Sequence, residues 1–134
     1  MEQNIWEYDD FIFKGDELKG MTQKGKDKVK LEGKTDLVIP ELTPDGLPLK
    51  KIGDNAFYRR GLTSVVIPNT VESIGYDAFG VCKLKEVKLP EALVNIEGFA
   101  FYRNKLTKVE FGSKVKRLEP SSFAMNELPE LNLP

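Results

Sequence analysis

The side chains that most often carry catalysis or hold metals are scarce in this 134-residue chain, which has no histidine and one cysteine, Cys82. Without histidine, Ser-His-Asp and Cys-His arrangements and His-ligated metal sites are excluded. A single cysteine cannot supply a Cys-x-x-Cys redox or zinc motif. Neither a G-x-G-x-x-G sequence nor a Walker loop is present. We therefore expect no enzymatic activity, no metal and no cofactor.

Two adjacent carboxylate pairs are the remaining candidates for acid–base or calcium chemistry. They are Asp9-Asp10 and Asp16-Glu17. Exposed acidic residues are common near turns, so we interpret both pairs as surface residues without a catalytic or calcium-binding role.

Two Tyr-Arg pairs are candidates for protein recognition, because these residue types are enriched at interface hot spots. Tyr58-Arg59 and Tyr102-Arg103 each follow an Ala-Phe pair, and Gly80-Val81 occupies the equivalent place between them. The pairs could form a recognition patch. Alternatively, both tyrosines pack over the ridge of the fold with their hydroxyls in water.

A 22-residue repeat positions these residues. Apolar side chains recur at this spacing in three columns: Ile74, Ile96 and Leu118; Phe79, Phe101 and Phe123; Leu84, Leu106 and Leu128. Repeats begin near residues 37, 65, 87 and 109, and a partial repeat begins at 131. Such a period indicates a repeat architecture. Each repeat contains a V-x-I-P segment, which suits a buried strand, and an I-x-x-x-A-F segment, which suits one turn of α- or 3₁₀-helix. Between them, residues 71–74 and their equivalents could form a second extended segment.

Residues 1–36 precede the array at 37–134 and are predicted to form its N-terminal cap. Aromatic residues alternate before a turn at 14–16, which predicts a β-hairpin returning through 18–21. Residues 22–34 contain five lysines. We interpret them as a solvated loop and an edge strand, whose lysines would discourage edge pairing. The alternative is a small anion-binding patch.

The repeat resembles the BspA-like, or Treponema-type, bacterial leucine-rich repeat over residues 37–134. The pattern L-x-x-V-x-I-P…I-x-x-x-A-F-x-x-[CN]-x-L is carried by Leu62, Val65, Ile67, Pro68, Ile74, Ala78, Phe79, Cys82 and Leu84. The fourth copy departs from it, with Gly112 for proline and Ser122 for alanine. The resemblance implies an α/β leucine-rich repeat solenoid, with one short parallel strand and a short helical or 3₁₀ turn per rung.

The same resemblance implies a non-catalytic, protein-binding module of a bacterial cell-surface or secreted protein, acting in adhesion or in contact with host extracellular proteins. A structural spacer and an intracellular, cytoplasmic scaffold remain alternatives. It also bears on Cys82, whose equivalents are Arg60, Asn104 and Asn126. Leucine-rich repeats use Asn or Cys at this place, where the side chain can bond turn backbone inside the coil. We predict a buried, slowly reacting thiol.

The outward strand positions carry alternating charge. Their two columns are Ser64, Glu86, Lys108 and Glu130, and Val66, Lys88, Glu110 and Asn132. Neighbouring strands lie about 4.8 Å apart, so opposite charges should face each other along the stack. A self-neutralising sheet face is the first interpretation. The alternative is a polar partner that docks at Lys88 and Glu110.

Composition and termini limit the remaining possibilities. With 20 basic and 21 acidic residues, the net charge of −1 argues against a general nucleic-acid binder. We expect no membrane insertion, since no run of about 18 apolar residues occurs. The N-terminus does not resemble a signal peptide. The sequence stops after a predicted strand at 131–133, so we expect a fragment of a longer array. Alternatively, two chains associate through this exposed C-terminal edge strand.

Overall fold

The computed structural model describes residues 5–115 and 118–129 and shows a mixed α/β arrangement dominated by short strands. Its strands are β1 (Phe11–Lys14), β2 (Glu17–Met21), β3 (Asp36–Val38), β4 (Lys51–Ile52), β5 (Ser64–Val66), β6 (Ser73–Ile74), β7 (Glu86–Lys88), β8 (Asn95–Ile96) and β9 (Lys108–Glu110). The helices are α1 (Gln23–Lys30) and two 3₁₀ segments, Tyr8–Asp10 and Pro120–Phe123. The predicted partial repeat from 131 lies outside the described residues.

The predicted N-terminal hairpin is observed. β1 and β2 pair antiparallel, with Phe11 opposite Met21. β2 also pairs in parallel with β4, and the Gly53 amide donates to the Leu18 carbonyl at 2.8 Å. The hairpin thus joins the sheet that contains β4, the second strand of the first repeat, and gives β4 a hydrogen-bonded neighbour on its N-terminal side.

Residues 23–30 form a helix, so the prediction of a loop followed by an edge strand over residues 22–34 is wrong. Thr22 caps α1 by accepting a bond from the Gly25 amide at 3.2 Å. Gly25, Lys28 and Val29 form its buried face, at helical rather than strand spacing. Gly25 lies so close to the Asp10 carbonyl that a side chain would collide there. Contacts with the hairpin segment therefore stabilise a helix in a lysine-rich stretch.

Asp10 is not a surface residue, which corrects the interpretation of the first carboxylate pair. Its side chain is fully buried, and Oδ2 accepts bonds from the Lys28 ammonium at 2.7 Å and the Glu7 amide at 2.7 Å. Asp9, in contrast, is exposed and pairs with Lys24 at 2.8 Å. The ion pair between Asp10 and Lys28 offsets the cost of burying both charges and attaches α1 to the chain before β1.

Each of the first three repeats contributes two short strands. β2, β4, β6 and β8 form the parallel part of a five-stranded sheet, whose outer strand is β1. The strands of the V-x-I-P segments begin one residue earlier than predicted. They form two separate parallel pairs, β3 with β5 and β7 with β9. β5 and β7 lie side by side but are not paired as strands, so the expected ladder is divided there.

The core is a column of stacked phenylalanines, as predicted. Successive rings of Phe57, Phe79, Phe101 and Phe123 are separated by 5.3, 5.2 and 5.4 Å between centroids, with interplanar angles of 15° or less. Phe11 from the hairpin packs edge-on against Phe57 at 6.5 Å. The hairpin thus covers the N-terminal end of the column.

The segments around these phenylalanines are not helical turns in the first three repeats, contrary to the prediction. The residues two before and two after each phenylalanine have positive φ, as at Asn55 (58°) and Arg59 (59°). The left-handed backbone conformation at these positions prevents a continuous helix, and alternate amides point to the next repeat. The Asn55, Phe57 and Arg59 amides donate to carbonyls there at 2.8, 2.7 and 3.0 Å. We call residues 54–59, 76–81, 98–103 and 120–125 the turn ladder; only its fourth member contains a 3₁₀ segment.

Candidate protein-binding surface

The turn ladder brings together four of the candidate residues predicted from sequence. Arg59 and Arg103 are exposed, while Tyr58 and Tyr102 are half-buried. They occupy equivalent places in the first and third repeats. The Arg59 amide donates to Gly80, and the Val81 amide donates to Tyr102 at 2.7 Å. Backbone bonds through one intervening repeat therefore hold the two Tyr-Arg pairs at a fixed separation.

The structure adds two aromatic residues to this surface. Phe99 packs edge-on against Tyr76 at 5.5 Å and against Tyr102 at 5.1 Å between ring centroids. Tyr76 keeps 47% of its surface exposed. Sequence reasoning missed both residues, because their columns elsewhere contain Asp54, Gly98, Asn55 and Asp77. The sequence feature that could have indicated this cluster is Phe99, an additional aromatic residue two positions before Phe101 of the phenylalanine column.

Glycines lie beside two tyrosines of preceding repeats. A Cβ at Gly80 would lie 3.3 Å from Tyr58 Cδ1 and would collide with Asp77 Oδ1. A Cβ at Gly98 would lie 3.7 Å from the Tyr76 ring. Each tyrosine thus packs beside a glycine of the next repeat, with Tyr58 half-buried and Tyr76 exposed.

Arg59 is positioned by its neighbour. Its Nε donates to the Tyr58 hydroxyl at 3.1 Å, and the guanidinium carbon lies 5.5 Å from the centre of the same ring. Such cation–π packing contributes about 0.5–1 kcal/mol at an exposed site. The other guanidinium N–H groups can donate to a carboxylate or carbonyl of a partner.

Backbone strain is concentrated on this surface. Every non-glycine residue with positive φ in the described ranges, 5–115 and 118–129, lies in the turn ladder: Asn55, Arg59, Asp77, Val81, Phe99, Arg103 and Met125. Asn and Asp tolerate this conformation, but for other residues it costs roughly 1–2 kcal/mol. Glycine would avoid that cost. Retained large side chains at strained positions motivate a hypothesis of function.

Lys88 and Glu110 lie elsewhere, on the face of β7 and β9. They are opposite each other in the parallel register, as are Glu86 and Lys108. The ion pair that the described residues form here joins Lys108 to Glu110 within β9, at 3.1 Å. Opposite charges therefore face each other across β7 and β9 as predicted, while the ion pair itself forms along β9, because residues two apart in a strand share a face and a lysine can reach along it. Lys88 and Glu110 thus lie on β7 and β9 and not in the turn ladder, which contains the tyrosines.

The Asn and Cys positions predicted to bond turn backbone do so inside the bend. Asn104 Nδ2 donates to the Phe79 carbonyl at 2.9 Å, while its Oδ1 accepts from the Leu84 amide at 3.0 Å. Asn126 repeats this arrangement one repeat later. Cys82 is buried, and its Sγ donates to the Phe57 carbonyl at 3.3 Å. Burial raises the pKa of the Cys82 thiol.

Asp77 is the least well satisfied acid in the turn ladder. Its Oδ1 is buried without a hydrogen-bond partner. Burial raises the pKa of the Asp77 carboxyl above its ordinary value.

The part of the chain at residues 5–115 and 118–129 brings no three His, Cys, Asp or Glu side chains together as metal ligands would be. Nor does it contain a helix with the length and apolarity needed to cross a membrane.

Comparison with known proteins identifies the repeat. A family model described as the BspA type leucine rich repeat region matches residues 50–134 in six copies. Neither the curated proteins nor the solved structures gave a significant match.

Proposed function

Because the chain belongs to the BspA-type leucine-rich repeat family, we propose that it is a non-catalytic protein-binding module. Its repeats stack as a solenoid and present the turn ladder to a protein partner. One observation carries this proposal: Arg59, Phe99 and Arg103 remain at strained backbone positions on a surface that also exposes Tyr76. Aromatic and arginine side chains contribute most to interface hot spots.

The partner is proposed to be an extracellular protein of a host, and the chain to be part of a bacterial cell-surface or secreted adhesin. The support is the resemblance to bacterial surface repeats. A spacer or a cytoplasmic scaffold without a ligand would gain nothing from strained arginines, since asparagine or glycine would hold the same turns at lower cost. The turn ladder therefore favours recognition over a spacer role.

The test of the binding surface uses immobilised extracellular matrix proteins as probes. We expect Arg59→Asn with Arg103→Asn to abolish binding while leaving the melting temperature unchanged or higher, because asparagine tolerates positive φ better than arginine. Lys88→Ala with Glu110→Ala is the matched control on the strand face and should bind like the unaltered chain. Equal binding by all three proteins, or no binding by any, would contradict the proposal.

A further inference from the structure

A second surface lies between helix α1 and the first two repeats, where a cavity of about 490 Å³ opens. Basic side chains dominate its walls: Lys26, Lys30, Arg59, Arg60 and Lys83. The remaining walls contain one acidic residue, Asp27, and one apolar side chain larger than a methyl group, Val29, which is 8% exposed. We call this region the basic cleft.

The fold assembles the basic cleft from three separate segments. Lys26 and Lys30 are four residues apart in α1 and therefore share a helix face. Arg59 and Arg60 close the turn of the first repeat. The Lys83 amide donates to the Leu62 carbonyl at 2.8 Å, which places Lys83 beside them. No continuous stretch of sequence contains this set of cations.

The cations of the basic cleft are not neutralised by other described residues. None of the five lies within 4.0 Å of an acidic group in the part of the chain that the structure describes. Lys24, Lys28 and Lys34, from the same lysine-rich stretch, all have such partners. Asp27 accepts a bond from Gln23 at 2.9 Å. Five cations thus face one carboxylate in a chain whose overall net charge is −1.

The positive charge continues along the repeats. The Lys105 amide donates to the Leu84 carbonyl at 2.9 Å, so Lys105 lies one repeat beyond Lys83, and both side chains are exposed. Basic side chains therefore occur on α1 and on each of the first three repeats.

We propose that the basic cleft binds a sulfated polysaccharide, through sulfate groups that accept bonds from the lysines and arginines. Charge-assisted bonds of this kind are stronger than neutral ones. A protein partner would find no apolar anchor site, since Val29 is nearly buried. A single-stranded nucleic acid would find no aromatic side chain in the cleft on which to stack its bases. An extended chain that carries many anionic groups can contact the cations of α1 and of three successive repeats at the same time.

A heparin-derived octasaccharide is the probe, and its affinity is measured by calorimetry at several salt concentrations. We expect Lys26→Gln, Lys30→Gln and Lys83→Gln together to weaken binding at least tenfold. The slope of log K against log salt should become shallower by about two to three, one released counterion per lost contact. The matched control, Lys14→Gln, Lys88→Gln and Lys114→Gln, removes the same charge elsewhere and should keep more than half of the affinity.

Three results would overturn the proposal: no octasaccharide binding by the unaltered chain, equal losses in the two triple variants, or tighter binding of an oligothymidylate or a polyglutamate peptide than of the octasaccharide. The cleft variant should still bind the immobilised matrix protein that the unaltered chain binds. The failure of polysaccharide binding can therefore be distinguished from the failure of protein binding.

Discussion

At the residue scale, the polar side chains inside the repeat bend show how one position in the period is used. Asn104 and Asn126 bond backbone of their own repeat and of the preceding one, and Cys82 fills the same place with a weaker donor. An amide offers donors and an acceptor together, whereas a thiol is a small apolar group with a weak donor. In these three repeats the position thus holds a small group that bonds buried carbonyls, whereas the first repeat has the half-buried Arg60 there.

Cys82 should react slowly with a thiol reagent in the native protein. Its thiol is buried and its pKa is raised, so little of the nucleophilic thiolate forms and access is poor. The measurement compares labelling rates with and without urea, and the unfolded chain serves as the control. Rapid labelling without urea would show that the bend opens readily.

Asp77→Asn should raise the melting temperature near neutral pH. The folded state raises the Asp77 pKa, so its ionised form disfavours folding, and this penalty disappears as the pH falls through the raised folded value. Asparagine carries no charge and accepts the positive φ of 54° at this position. Melting curves at about pH 7 and about pH 4 should therefore show a difference between variant and unaltered chain that narrows on acidification. A difference that widens would contradict the assignment.

At the scale of elements, the phenylalanine column and the N-terminal cap hold the repeats together by different physics. In the column, each phenylalanine ring stacks on the ring that lies 22 residues away in the adjacent repeat. The cap depends on an ion pair between Asp10 and Lys28, which lie on separate elements. Disrupting the phenylalanine column or the ion pair should lower the free energy of unfolding.

Phe101→Ala should destabilise the protein by about 3–5 kcal/mol, because the ring stacks on both neighbours and the cavity left behind cannot collapse freely. Urea denaturation measures the change. Val94→Ala is the control, since Val94 is 49% exposed and its truncation should change stability little. A loss below about 1 kcal/mol for Phe101→Ala would show that the column carries little of the stability.

Lys28→Met should cost about 3–5 kcal/mol, because it leaves the Asp10 carboxylate buried without its ion-pair partner. Asp9→Asn removes the exposed pair with Lys24 at the same end of the cap and should cost less than about 1 kcal/mol. Thermal and urea denaturation of the two variants test the contrast. Similar small losses would mean that α1 is held mainly by apolar contacts.

At the scale of the whole molecule, the repeats offer two chemically different surfaces. The turn ladder exposes tyrosine and arginine beside the half-buried Phe99, while the basic cleft is lined mainly by lysine and arginine. Arg59 belongs to both. The proposed binding of a protein and the proposed binding of an anionic polysaccharide should therefore be coupled through this arginine.

The 22-residue period predicted the phenylalanine column, because each repeat packs only on its neighbours and register in the sequence becomes register in space. The period together with the resemblance to leucine-rich repeats predicted the bend positions of Cys82, Asn104 and Asn126. Other features depended on contacts that no period encodes. Helix α1 and the buried pair of Asp10 with Lys28 arise where residues outside the repeat meet. The turn ladder replaced the predicted helical turns because bonds between repeats outcompeted bonds within a turn. The Tyr76–Phe99 cluster and the basic cleft likewise appeared only when the chain was folded, since stacking brings together side chains that are isolated along the sequence.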